Sequence, residues 1–267
     1  MFYSEARTLY ESVYTQANKT VNNFQKESAD PYLINMDNEV DDGAITQKVD
    51  LGVLEIPVRQ IVGVASTDIN TEYTFDFKPL ASKNSEFAEV WCQLYVDYMS
   101  DRGLAEPITC VEYLGRFYVV DGKKRVSVLK AYGESRVLAH VIRWIPERSN
   151  DIQVKQYFEF LNYFGKTGLY QVFLSDASDF QHLQKAMDLA PDQEWTDTDR
   201  LHYMFAFLGV ERAYLELFGE YASITAADVF VALLKKHSFP KVRRMNNKDL
   251  KMEILKLPHF GMVATVA

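Results

Sequence analysis

Apolar residues recur at intervals of three and four at the start of the chain, at Phe2, Ala6, Leu9, Tyr10, Val13, Ala17, Val21 and Phe24. Polar residues fill the other positions, so the period predicts an amphipathic helix over the first thirty residues. Between residues 30 and 43 the period dissolves among Pro31, Asn35, Asn38, Gly43 and five acids, which is loop composition. This loop does not fit a calcium site. With Asp37, Glu39 and Asp41 in the first three ligand positions, Asp42 falls where the turn needs Gly and Lys48 where a bidentate Glu belongs. Extended signals follow at 53–58 and 60–64, and Pro57 confines the first to an edge or an end.

A helical stripe then runs through Phe87, Val90, Trp91, Leu94, Tyr95 and Tyr98, with Ser85 as its cap and Arg102-Gly103 as its expected stop. Residues 107–113 and 117–120 read as two strands around a turn at Leu114-Gly115-Arg116. Val126 and Leu129 mark a short helix closed by Gly133, and 136–145 is a further β-branched run. Beyond Pro146 the pattern is helical and aromatic, over Val154 to Leu161, 201–218 and 229–234, with Thr225 and Asp228 spaced as a capping box. The chain therefore predicts an α+β protein. It divides into an N-terminal helical arm and acidic loop (1–50), a mixed domain (51–146) and a mainly α-helical C-terminal region (147–267).

Composition narrows this picture. At 267 residues, 48% hydrophobic and 25% charged, the chain suits one large or two ordinary folded domains and excludes dominant disorder. It contains no apolar run near the ~18 residues of a bilayer span, and its first residues lack the form of a secretory leader. Two cysteines, Cys92 and Cys110, form no C-x-x-C pair, so the expectation is a reducing, cytoplasmic setting with no membrane partner. The net charge of −8 argues against a surface given over to nucleic acid. Between residues 235 and 256, however, eight basic residues face two acids, so that tract carries +6 and the remainder −14.

The stretch with most chemistry is Asp121-Gly122-Lys123-Lys124-Arg125, where a β-branched strand meets a helix start. A helix N-terminus carries about +0.5 charge, so cations in its first turn cost about a few tenths of a kcal/mol each unless something offsets them. A phosphate would do so by accepting from free N–H groups and cationic side chains together. Alternatively, Asp121 pairs with Lys124 or Arg125 and the other cations are solvated.

Pro107-Ile108, Gly115, Phe117-Tyr118-Val119-Val120, the 121–125 box and Lys130-Ala131-Tyr132-Gly133 together resemble the ParB/sulfiredoxin-like superfamily, closest to uncharacterised bacterial branches with a YVVDGKKRVSVLK-like box. The resemblance covers about residues 51–145. It implies a ParB/sulfiredoxin-like mixed fold, with Asp121, Gly122, Lys123, Lys124 and Arg125 as a phosphate- or nucleotide-binding loop. The cofactors it implies are CTP, ATP or ADP with Mg. Sulfiredoxin-type chemistry is not expected, since that branch's reactive cysteine falls at Lys123. A partition-type clamp fits poorly too: the second nucleotide motif of that branch has no counterpart in 151–166, and Glu106 stands before Pro107-Ile108 where many partition proteins have Gln. By analogy with the kinase branch, Glu55 is the positional candidate for a catalytic base, its other reading being an exposed edge-strand acid.

Other motifs fall away. Gly165-Lys166-Thr167 imitates the end of a P-loop, but Phe160 stands where the first Gly is needed, so it reads as a turn. The five histidines lack metal-ligand spacing and no metal site is expected. Tyr203, Phe205 and Phe207 read as helix core. The basic tract reads as an amphipathic terminal helix with a solvated face, or as a nucleic-acid contact through Lys241, Arg243, Arg244, Lys248 and Lys251. Three functions stay open: a protein binding a nucleotide or phosphorylated small molecule, with or without phosphoryl hydrolysis or transfer; a DNA-associated regulator; or an interaction module with a vestigial loop.

Overall fold

The N-terminal stripe forms α1 (Phe2–Lys26), which buries Ala6, Tyr10, Val13 and Ala17. These pack on Ala88, Trp91 and Tyr95 of α2 (Glu86–Met99) and on Val128 of α3 (Lys123–Tyr132). Tyr10 meets Trp91 edge-on, with ring centroids 5.3 Å apart, and its hydroxyl donates to the Ala81 carbonyl at 2.8 Å. Burial pushes that phenol's pKa up. This computed structural model describes residues 2–65, 71–100, 106–169, 172, 174, 179–190, 193–219 and 225–257. Ser85 caps α2 by accepting from the Ala88 N–H at 3.2 Å. The helix ends at Met99 with Ser100 as its C-cap, and the expected stop at 102–103 lies outside the described residues.

The fold is α+β. Among the described residues six strands form one mixed sheet: β1 (Ile34–Asn35), β2 (Ile45–Pro57), β3 (Ile61–Val64), β4 (Ile108–Tyr113), β5 (Arg116–Asp121) and β6 (Arg136–Pro146), in the order β1-β3-β5-β4-β6-β2. β4 pairs antiparallel with β5, and β2 with β6; the other neighbours run parallel. Leu114 and Gly115 both have positive φ, 49° and 79°, the twist a two-residue hairpin requires. Buried Glu112 holds this hairpin: one carboxylate oxygen accepts from the Gly115 N–H and the other from Arg143 Nε, each at 2.7 Å.

Pro57 closes β2, which lies at the sheet edge. The strand begins at Ile45, eight residues earlier than its apolar run, because its polar half pairs with β6 while burying no residue. Lys48 covers the Trp144 ring at 3.6 Å. The register slips between Asp50 and Val53, where Gly52 takes φ +70° and Asp50 accepts from its N–H at 2.8 Å. The same carboxylate oxygen meets His140 Nε2 at 2.8 Å. The chain divides into two compact units, Met1–Glu147 and Arg148–Ala267, and residues 1–50 fall in the first.

The second unit comprises α4 (Ile152–Thr167), α5 (Asp179–Ala186), α6 (Asp197–Phe218), α7 (Ala226–Lys236), α8 (Phe239–Arg244) and α9 (Asn247–Leu255). Its core is aromatic: Trp195 and Phe230 each meet Tyr203 edge-on, and Phe180 lies 5.0 Å from Tyr163. Both arms of the Thr225/Asp228 capping box are formed. Gly165-Lys166-Thr167 is not a turn but the last turn of α4, because the stripe Tyr157, Phe160, Tyr163 continues to buried Thr167 and Gly168 supplies the left-handed cap. The expected amphipathic terminal helix forms as α9, with Leu250 and Ile254 buried and Lys248 exposed, while Lys241, Arg243 and Arg244 lie on the separate α8. No described helix is long and apolar enough to cross a membrane.

Two expectations follow. Replacing Glu112 by Gln removes the carboxylate to which the buried Arg143 Nε donates, and breaking a buried pair in this way costs about 3–5 kcal/mol; urea unfolding should show a loss of that order. In the second unit, Lys256, His237 and Lys236 hold the Glu253 carboxyl down at about 2. A carboxyl with a depressed pKa contributes stability that is complete above the ordinary value of 4.5 and disappears as pH falls toward 2. The stability gap between the native chain and Glu253→Gln should therefore be constant near neutrality and close over that acid range.

Candidate functional site

β5 delivers the chain straight into α3 through a single residue, Gly122, at φ +105°. A side chain there would meet Ile108 Cγ2 at 2.6 Å, so both conformation and space demand glycine. The first intrahelical bond runs from the Val126 N–H to the Gly122 carbonyl at 3.0 Å. The N–H groups of the first turn consequently have no acceptor within the helix, and no side chain caps them. The helix is fixed elsewhere. Ser127 accepts from Trp91 Nε1 at 2.9 Å, Val126, Val128 and Leu129 are buried, and Gly133 closes the C-terminus at φ +86°.

The three cations diverge. Arg125 turns inward: it pairs with Asp121 at 2.6 Å and donates to the carbonyls of Glu106 at 2.7 Å and Pro107 at 3.1 Å. Its side chain is only 15% exposed, so the guanidinium works as a brace between the loop and the start of β4. Lys124 lies over the Phe87 ring, 4.7 Å from its centroid. Lys123 is half-buried and makes no ion pair among the described residues. The structure thus brings residues 121–125 to one corner, with the Arg125 guanidinium already taken by Asp121 and two main-chain carbonyls.

Glu55 does not join them. It is exposed on β2, opposite Leu138, and β2 lies three strands from β5, about 14 Å at ordinary strand spacing. Cys110, far from the loop in sequence, pairs with Val119 in the sheet and lies within the field of Arg125. Burial nevertheless pushes its thiol up to about 12, so it is not a nucleophile at neutral pH.

In the second unit half of the basic tract is matched by acids: Lys235, Lys236, Lys251 and Lys256 each have a carboxylate partner. Lys251 pairs with Glu216, Lys235 with Asp179 at 2.6 Å, and Lys256 with Glu253 at 2.7 Å. Lys241 meets His237 Nδ1 at 3.1 Å. Arg243, Arg244 and Lys248 are exposed and have no ion pair among the described residues. Phe205 is not core as expected. Successive helix residues are 100° apart, so it points away from Tyr203 and Phe207, a signal available from spacing alone. Among the described residues no group of three or more His, Cys, Asp or Glu could hold a metal ion. No protein-family model matches the chain, and no curated protein matches it.

Gly122→Ala tests the corner directly. Left-handed strain alone costs about 1–3 kcal/mol, and the clash with Ile108 adds to it. The variant should unfold at a clearly lower urea midpoint, whereas Gly133→Ala, with open space around its Cβ, should lose only the strain contribution.

Proposed function

We propose that this protein binds a phosphorylated small molecule, nucleotides foremost, at the first turn of α3. One observation carries the reading: the helix begins at a left-handed glycine without a side-chain cap, and its first turn holds three cations and no acid. Lys123 and Lys124 supply charge, the first-turn N–H groups supply donors, and Asp121 is already neutralised by Arg125. The resemblance to ParB/sulfiredoxin-like proteins supports the same assignment. Arg125 then acts as a positioning residue that keeps the loop against β4. With Asp121 held by Arg125 and Glu55 three strands away, the reading is one of binding, without hydrolysis or transfer.

A second reading is favoured by the inward turn of Arg125: the loop is a structural corner and the protein is an interaction module. Calorimetry separates the two. CTP, ATP, ADP and inorganic phosphate, each with and without Mg, are titrated into the native protein and into a Lys123→Ala/Lys124→Ala variant. Each charge-assisted bond lost is worth about 1.5–3 kcal/mol, so the variant should bind at least about tenfold more weakly while unfolding at an unchanged midpoint. Absence of binding by all four compounds, or equal binding by the variant, selects the second reading.

A further inference from the structure

We infer that the outer side of α6 is a docking surface for an acidic amphipathic helix of a partner protein. α6 is apolar on both sides. Its inner side buries Tyr203, Ala206, Phe207 and Val210. Its outer side leaves Leu201 63%, Phe205 74% and Leu208 39% exposed, at the i, i+4, i+7 spacing of one continuous line. Helices that are apolar all round are ordinarily covered on every side, so this line lacks a partner surface.

Phe205 and Leu208 also wall a groove of 350 Å³, floored by Leu250 of α9 and bounded by Arg243 of α8. Gly209 gives it depth, since a Cβ there would stand 3.5 Å from Leu250 Cδ1. From Leu201 to Arg212 the line and groove extend about 16 Å, the length of three helical turns and more than one small ligand covers.

Charge selects the occupant. Arg212 and Arg243 line the groove; among the described residues Arg243 has no ion pair or side-chain hydrogen bond, and Arg212 makes no direct ion pair although it lies in the field of Glu216. Glu216, one turn beyond Arg212, is taken by Lys251 and by Asn247 Nδ2. A second copy of this chain would bring its own arginines to the same interface. A nucleic acid would match the arginines but leave the apolar line in water. A helix with aliphatic anchors at i, i+4 and i+7 and flanking glutamates satisfies both.

Fluorescence anisotropy on the full chain tests this with a labelled helical peptide of about 18 residues that carries leucines at those positions and flanking glutamates. Controls are the same peptide with lysines for glutamates, a scrambled peptide and a labelled DNA duplex. The acidic peptide should bind saturably, the lysine version about tenfold or more weaker, and Phe205→Ser should weaken the acidic complex about tenfold. Arg243→Glu should weaken it severalfold and flatten its salt dependence. Both side chains are exposed, so circular dichroism should be unchanged in the variants. Failure of the acidic peptide to bind, equal binding by the scrambled peptide, duplex binding that needs Arg243 but not Phe205, or a native dimer abolished by Phe205→Ser would each overturn the proposal.

Discussion

Arg125 ties the end of β5, the start of α3 and the residues leading into β4 into one rigid corner. Its guanidinium reaches one carboxylate and two main-chain carbonyls, and this fork is what a lysine could not reproduce. The brace lets Gly122 take a left-handed conformation hard against Ile108, and that in turn aims the open first turn of α3 outward. The buried face of α3 then meets Trp91 and the α1 core. Electrostatic character and packing at this corner are therefore one problem: the same side chain that adds positive charge on paper is spent on geometry.

That double use explains what sequence could and could not tell. The alternation of strands and helices from β4 to β6 follows from β-branched runs broken by Gly115, Gly122 and Gly133, each at positive φ. The pairing of Arg125 with Asp121 was readable from their four-residue spacing, but its inward turn was not, because its other partners are main-chain carbonyls nineteen and eighteen residues away. Likewise the polar half of β2 was hidden, since a half-exposed edge strand shows no apolar run. Glu55 was readable as an edge-strand acid, but its distance from the loop depended on strand order, which places β6 and β4 between them.

In the second unit the aromatic core was legible and its outer surface was not. Tyr203 and Phe207 share a face that meets Trp195 and Phe230, while Phe205 stands opposite. Reading those aromatics as one group erased the distinction that helical geometry imposes. The basic tract shows the reverse error: counted as a run it looks like an island of charge, but Glu253, Glu216 and Asp179 absorb much of it. Among the described residues Lys241, Arg243, Arg244 and Lys248 remain without a carboxylate partner, and Arg243 is the one beside the apolar line.

The register slip in β2 bears on what the open edge of the sheet can accept. An edge strand of thirteen residues offers a long row of free main-chain groups, the usual template for strand addition by another chain. Gly52 and the slipped register beside Asp50 break that row midway, and Pro57 removes a donor at its end. A neighbouring strand could match either half of this edge but not both in one register, so backbone shape divides what the edge offers into two short stretches.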